Sequence, residues 1–488
     1  MTSASSSPET ATATASDASA KWADKSASKS ANKSANKSPD RLHRMASIQA
    51  FLDDHHISEI EAVIPDMAGI ARGKLIPRAQ FEQGQDMRLP QISLLQTVSG
   101  EALRDISHTR FIDADMVCVP DAATIRPLPW ANRPTAHIIH DCTQFDGTPI
   151  EIAPRQVLQR VLACYAAKGW MPVVAPELEF FLVDTQSDPD LPLRPPIGRS
   201  GRGESCRQPY SLEAISEFEN FFDHLHDYCH AQGLTIETLI HEVGAAQIEI
   251  NFLHGEALHL ADSVFLFKRT VRETALRHGM YATFMAKPME DEPGSAMHIH
   301  QSVVDVATGK NIFADQDGAP NALFHHYIAG LQHYTPALMP IFAPYVNSYR
   351  RLSRFLAAPI NLQWGRDNRT VGFRVPEAGP QALRVENRIP GVDGNPYLVL
   401  AGTLAAGYLG MTAGLTATEP VNSNAHRMPF ELPRNLEEGL TLMGRSEALA
   451  SLLGEDFIAA YISLKETEYE AFFRVVSAWE RKHLLLHV

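Results

Sequence analysis

Polar residues spaced two apart inside apolar runs recur at four separated places along the chain. In VVAPELEFFLVD (173–184), Glu177 and Glu179 stand two positions apart, and in a strand such side chains share one face. HEVGAAQIEIN (241–251) reads as strand, glycine turn, strand, with Glu242 and Glu249 on its two arms. MHIH (297–300) and RVENRI (384–389) repeat the spacing. A half-exposed strand with two solvated acids would account for the first stretch alone. Recurrence instead favours one sheet whose concave face carries Glu177, Glu179, Glu242, Glu249, His298 and Glu386. Carboxylates turned toward a core require cations, because desolvating an unpaired charge costs several kcal/mol or more.

The remaining pattern alternates helices with hairpins. Residues 47–56 read as a helix, 59–77 as two strands about a turn at 66–73, and 111–130 as further alternation ending in a proline-rich stop. Pro154 opens a helix that Gly169 closes. Residues 185–210 lack periodicity and read as a surface loop. Ser211 caps one long amphipathic helix running to Gly233, and another helix is expected over 258–278. PYLVLAGTLAAGYLGMTAGL (396–415) carries no charge and has the length of a membrane span, but the Asn395-Pro396 start favours a buried core helix. Residues 434–488 read as amphipathic helices. The sum is an α+β chain with a curved, mostly antiparallel sheet backed by helices, not a doubly wound parallel sheet. Residues 1–45 are rich in Ser, Ala, Thr and Lys and are expected to be disordered. Their acids are out of character for a transit peptide, and a translation start at Met45 is the alternative.

Composition narrows the function classes. A formal net charge of -14 argues against nucleic-acid and anionic-membrane partners. The five cysteines are scattered without CxxC spacing, which suggests free thiols in a reducing cytoplasm. Five acids with one imidazole suit Mg²⁺ or Mn²⁺ better than zinc, and so many ligands imply two or more ions. Arg351, Arg366, Arg369, Arg374, Arg384 and Arg388 follow in the same part of the chain, and guanidinium forks suit phosphate and carboxylate. No GxxxxGK[ST] loop is present, so any nucleotide would rest on metal and arginine.

PELEFF, HEVGAAQIEINF, GSAMHIHQS, NSYRRL, GRDNRTVGFRVP and RVENRIPGVDGNPYL, in this order, resemble the glutamine synthetase family. DMVCVPDAATIRPLPW resembles the end of that family's N-terminal β-grasp domain. The resemblance implies a β-grasp domain over 46–148, a catalytic domain over 149–488, and ATP-dependent joining of glutamate to an amine through γ-glutamyl phosphate. It implies two metal sites, one held by Glu179, Glu242 and Glu249, the other by Glu177, His298 and Glu386. By the same resemblance His300, Arg369, Arg374, Arg384 and Ser302 contact the nucleotide, while Gly294, Arg351 and Arg388 line the glutamate pocket. Arg369, Glu179 and Arg351 would then be the catalytic residues, and the chain a large homo-oligomer of stacked rings.

Departures from the family pattern bear on the amine. Ala357 stands where the ammonia-using enzymes have a flap acid, and ISLLQTVSG lacks their Asp-Gly-Ser-Ser loop. Pro293 replaces an Asn that touches glutamate in those enzymes, and residues 416–433 contain no Tyr for adenylylation. Fewer acids weaken ammonium capture, and smaller residues leave room for a carbon chain. The pattern resembles the γ-glutamylpolyamine synthetases, or glutamate-putrescine ligases. Ammonia, ethanolamine or an arylamine is the alternative substrate, and a non-catalytic family member the third reading.

Overall fold

The computed structural model describes residues 39–84, 86–101, 103, 113–353 and 357–488. The first sheet contains β1 (Glu59–Pro65), β2 (Ala71–Pro77), β3 (Met87–Pro90), β4 (Asp115–Pro120), β5 (Arg126–Pro127) and β6 (Thr135–Thr143). Their order is β2-β1-β6-β4-β3, with β5 also on β6. β1 runs parallel to β6, and the other pairs are antiparallel. Asp66 makes the β1–β2 turn: its Oδ1 accepts from the Ala68 and Ile70 amides at 3.0 and 2.8 Å, and its Oδ2 from Arg72 Nε at 2.7 Å. A carboxylate bonding its own chain a few residues on is a common way to fix such a turn.

A helix, Pro39–Asp54, packs Ile48 and Leu52 into the core of this sheet. It starts ahead of the expected end of the tail at residue 45. Arg41 donates to Asp86 Oδ1 and the Gly84 carbonyl at 2.6 and 2.7 Å, and Met45 packs on the core, so this segment has partners. Residues 1–38, the rest of the expected tail, lie outside the described residues.

The second sheet contains β7 (Trp170–Asp184), β8 (Ile236–His241), β9 (Gln247–Phe252), β10 (Gly255–Glu256), β11 (Met280–Thr283), β12 (Met297–Asp305), β13 (Trp364–Arg366), β14 (Phe373–Val375) and β15 (Val385–Asn387). The path is β13-β14-β15-β12-β7-β9-β8, with β10 and β11 also paired to β7. Apart from the parallel β13–β14 pair, its pairings are antiparallel. The α+β architecture is as the pattern of helices and hairpins implies.

The long helix expected after Ser211 is two helices, Leu212–Ser216 and Glu219–Ala231. The break falls where the preceding loop docks: the Glu217 carbonyl and carboxylate accept from the Arg199 and Ser200 amides, each at 3.0 Å. Phe218 leaves helical geometry at φ -120°.

The uncharged segment is a core helix, Pro396–Ala413, mostly buried. Asn395 caps it, accepting from the Tyr397 amide at 3.0 Å and donating to the Asp66 carbonyl at 2.9 Å, which ties it to the first sheet's turn. It crosses the Ala322–Phe342 helix closely, since a Cβ on Gly330 would lie 2.1 Å from the Ala406 carbonyl oxygen. Four helices end the chain, Leu436–Arg445, Glu447–Leu453, Glu455–Phe473 and Ala478–Leu484. The last buries none of its residues within this chain. Around it Phe473, Trp479 and Leu486 are 70%, 63% and 88% exposed.

Candidate active site

Register brings the dispersed polar residues together. His298 on β12 pairs with Glu177 on β7, Glu179 on β7 with Glu249 on β9, and His300 on β12 with Glu386 on β15. Ligand atoms of Glu177, His298 and Glu386 lie within 4.8 Å of one another, as do those of Glu179, Glu249 and His298. Glu242 follows β8 at the hairpin end, where its amide donates to the Gln247 carbonyl at 2.8 Å. Its carboxylate is half-buried and outside both groups, although its charge bears on Glu179 and Glu249.

The two groups differ electrostatically. Burial alone would raise Glu386, but Arg388, His298 and His300 bring it down to about 2. Arg388 donates to its Oε1, and Arg374 Nη1 to its Oε2 at 2.9 Å. Glu177 is likewise held well below the carboxylate range, because hydrogen bonds from His298 and His300 outweigh burial. His300 Nδ1 accepts from Arg384 Nε at 3.2 Å, so its proton sits on Nε2, which donates to Glu177 Oε1 at 2.8 Å. Burial and Arg388 push His298 down to about 4, leaving it neutral and able to ligate. Glu179 and Glu249, by contrast, are raised by burial and by neighbouring acids to about 8 and about 9. The Ala296 amide at 2.8 Å and Gln247 Nε2 at 3.4 Å donate to Glu179 Oε2. Buried oxygens crowded with one imidazole and lacking enough countercharge fit hard divalent cations.

Arg351, buried at the end of the Val346–Arg351 helix, donates to the Ile389 and Arg388 carbonyls at 2.8 and 3.0 Å. Gly294 lies against it: a Cβ there would stand 2.6 Å from Arg351 Cγ. Burial lowers the Arg351 pKa to about 10, still charged at neutral pH. Arg374 spans Glu386 and Asp367, the latter at 2.8 Å. Arg366 and Arg369 are exposed, and Ser302 lies half-buried on β12.

Two residues of the surroundings escape the polar-spacing argument. Gln247 shares a face of β9 with Glu249 and bridges Glu179, the Gly294 carbonyl and Ser295 Oγ; its spacing of two from Glu249 was a usable signal. Glu204 sits in the loop without periodicity. It accepts from the Ala246 amide at 2.7 Å and pairs with His241 Nε2 at 3.1 Å, fastening the turn that carries Glu242.

Residues 151–484 match the glutamine synthetase catalytic domain, and the chain belongs to the glutamine synthetase family. It is thus an ATP-dependent glutamate-amine ligase of that family, a class that works with divalent metal. It is 30% identical over 452 residues to a glutamate-isopropylamine ligase of a Pseudomonas species, covering 90% of this chain and 97% of the relative. It is 31% identical over 434 residues to the gamma-glutamylputrescine synthetase of Escherichia coli, covering 87% and 91%. The solved structure of apo GmaS without ligand superposes with a TM-score of 0.76 at 28% identity, covering 89% of this chain and 98% of that one.

Proposed function

We propose that the chain joins the γ-carboxyl of glutamate to a primary alkyl amine, with putrescine or another polyamine as the preferred substrate. The observation that carries this reading is the loss of negative charge where ammonia-using members carry acids: Ala357 and the ISLLQTVSG segment. A site lacking those acids binds ammonium less well and leaves space for an alkyl chain. The similarity to ligases named for isopropylamine and putrescine points the same way.

In this reading Glu177, His298 and Glu386 hold one divalent ion, and Glu179 and Glu249, joined by Glu242, hold another. Bound Mg²⁺ or Mn²⁺ would supply charge neutralisation for phosphoryl transfer. The γ-carboxylate takes the terminal phosphoryl group of ATP and ADP departs. The amine nitrogen then bonds to the acyl carbon, phosphate leaves, and the amine gives up a proton. Arg369, without a hydrogen-bond partner among the described residues, is free to meet the transferring group. Arg374, Arg384, His300 and Ser302 border the nucleotide phosphates. Arg351 keeps unused guanidinium N–H groups for the substrate carboxylate, while Arg388 and the bare Gly294 backbone shape that pocket. The exposed apolar surface around Phe473, Trp479 and Leu486 supports assembly with further copies of this chain. The five free thiols suit a reducing cytoplasm.

The test is phosphate release with ATP, Mg²⁺ and glutamate, comparing putrescine, spermidine, isopropylamine, ethanolamine, ammonia and no amine. Putrescine or spermidine is expected to exceed ammonia in kcat/KM by at least about 10-fold, equivalent to about 1.4 kcal/mol. Fastest turnover with ammonia overturns the polyamine reading.

A further inference from the structure

A second cluster of positive charge lies away from the acids. Lys268 and Arg272 stand one helical turn apart on the Ala257–Arg277 helix and line a cavity of about 420 Å³ with Phe284, Tyr345, Asn347 and Asp393. Arg272 makes no hydrogen bond or ion pair among the described residues; its guanidinium carbon lies 4.9 Å from the centroid of the Phe284 ring. Lys268 is buried and donates to the Val392 and Gly394 carbonyls, with no carboxylate in contact. Asp393 is the one acid lining the cavity; its Oδ2 accepts from Ser348 Oγ at 2.6 Å, and its Oδ1 is buried without a hydrogen-bond partner. Arg272 and, when protonated, Lys268 face this one carboxylate, so a protonated Lys268 gives the cavity an excess of positive charge. Arg269 beside them adds to it, although Glu61 at 2.8 Å compensates that residue. Burial pushes Lys268 down to about 7, whereas Arg272 is exposed at the cavity and its charge is partly solvated. Cations so placed are expected to draw in a counter-ion.

We propose that this cavity binds a small oxyanion, a phosphate or carboxylate group, with the Arg272 guanidinium as its principal contact and Lys268 supplying the second charge. A guanidinium fork already stacked on an aromatic ring presents its N–H edge at low entropic cost. The cavity also touches the start of the helix that delivers Arg351: Tyr345 precedes it, and Asn347 exchanges hydrogen bonds with Lys287 at 2.8 and 3.0 Å. Anion binding there would therefore bear on the segment carrying Arg351, whichever amine the enzyme uses.

The test is calorimetric titration of the full chain, loaded with Mg²⁺ and ADP, with inorganic phosphate, acetate and succinate in separate runs. At least one should bind the wild type, and the better of phosphate and carboxylate identifies the ligand class. That binding should weaken at least 10-fold in Arg272→Gln, persist in Arg272→Lys, and persist in Arg369→Gln. Binding unchanged in Arg272→Gln, binding lost in Arg369→Gln instead, or no binding of any of the three overturns the proposal. Arg272 has no hydrogen bond to lose, only its contact with the Phe284 ring, so the glutamine variant should stay folded with a melting temperature close to that of the wild type. An independent readout on the unmutated chain is protection of Arg272 from phenylglyoxal by the bound anion; equal labelling with and without it also overturns the proposal.

Discussion

Glu249→Gln tests the electrostatics of the cluster directly. With Glu179 at about 8 and Glu249 at about 9, the metal-free chain at pH 7 holds protons on both carboxylates. A cation must displace them, at about 1.4 kcal/mol for each unit by which pKa exceeds pH, together about 4 kcal/mol at pH 7. Metal affinity should therefore rise about 10³-fold between pH 7 and 9, with about two protons released on loading at pH 7. Glu249→Gln removes the more tightly held proton and an acid that repels Glu179 from close by. Release should fall to one proton or fewer, and the rise in affinity over the same range to about 10-fold. Titration calorimetry with Mn²⁺ in two buffers of different ionisation enthalpy counts the protons. Equal release by variant and wild type, or none from the wild type at pH 7, refutes the reasoning. At these two carboxylates stability carries the same sign: between about pH 4.5 and 9 they bind more protons in the folded metal-free chain than in the unfolded chain, so their contribution to stability falls as pH rises. Metal should remove that loss, and the gap between loaded and metal-free melting temperatures should widen toward pH 9.

Glu204→Gln should cost about 1–3 kcal/mol in chemical denaturation, because the Ala246 amide and His241 lose a charged acceptor. Burial lowers the His241 pKa, but Glu204 raises it further, so the pair's stabilisation is complete below the ordinary histidine range and fades as pH rises through the raised value. The variant should flatten that dependence; a wild-type pH profile in Glu204→Gln would exclude the pairing. Deleting residues 472–488 should leave the fold of the subunit intact but reduce the assembled mass in sedimentation velocity. An unchanged assembly would show that the exposed Phe473, Trp479 and Leu486 surface contributes nothing to it.

Strand periodicity exposed most of the cluster because a sheet converts spacing of two into one face, and Glu177, Glu179, Glu249, His298 and Glu386 all sit on paired strands. Periodicity says nothing of a residue whose position is set by a loop. Glu204 reaches the site from a segment without a repeat, and Glu242, read from the pattern as a strand residue, lies one residue past β8 at the hairpin end. The split after Ser216 was equally hidden, since the amphipathic pattern continues across it and only the docking of Arg199 and Ser200 on Glu217 breaks the helix. The core helix was legible through its cap: Asn395-Pro396 marks a helix start, and the same Asn binds the Asp66 turn.

The cluster is charge-compensated on one side only, and this sets an order for its ions. Glu177 and Glu386 are already ionised by His300, Arg374 and Arg388, so a cation there competes with two guanidinium groups but displaces no proton. Glu179 and Glu249 have no such partners in contact; once deprotonated, they attract a cation with nothing to displace. At pH 7 the proton cost of about 4 kcal/mol falls wholly on the second group. Above pH 9 that cost vanishes and the uncompensated pair becomes the stronger ligand. Stepwise Mn²⁺ titration should therefore show an exchange: the tighter equivalent binds without proton release at pH 7, whereas at pH 9 the tighter equivalent is the one abolished by Glu249→Gln. If Glu249→Gln removes the same equivalent, tight or weak, at both pH values, the asymmetry does not control occupancy. The two halves would then be coupled through His298, whose ring belongs to both ligand groups.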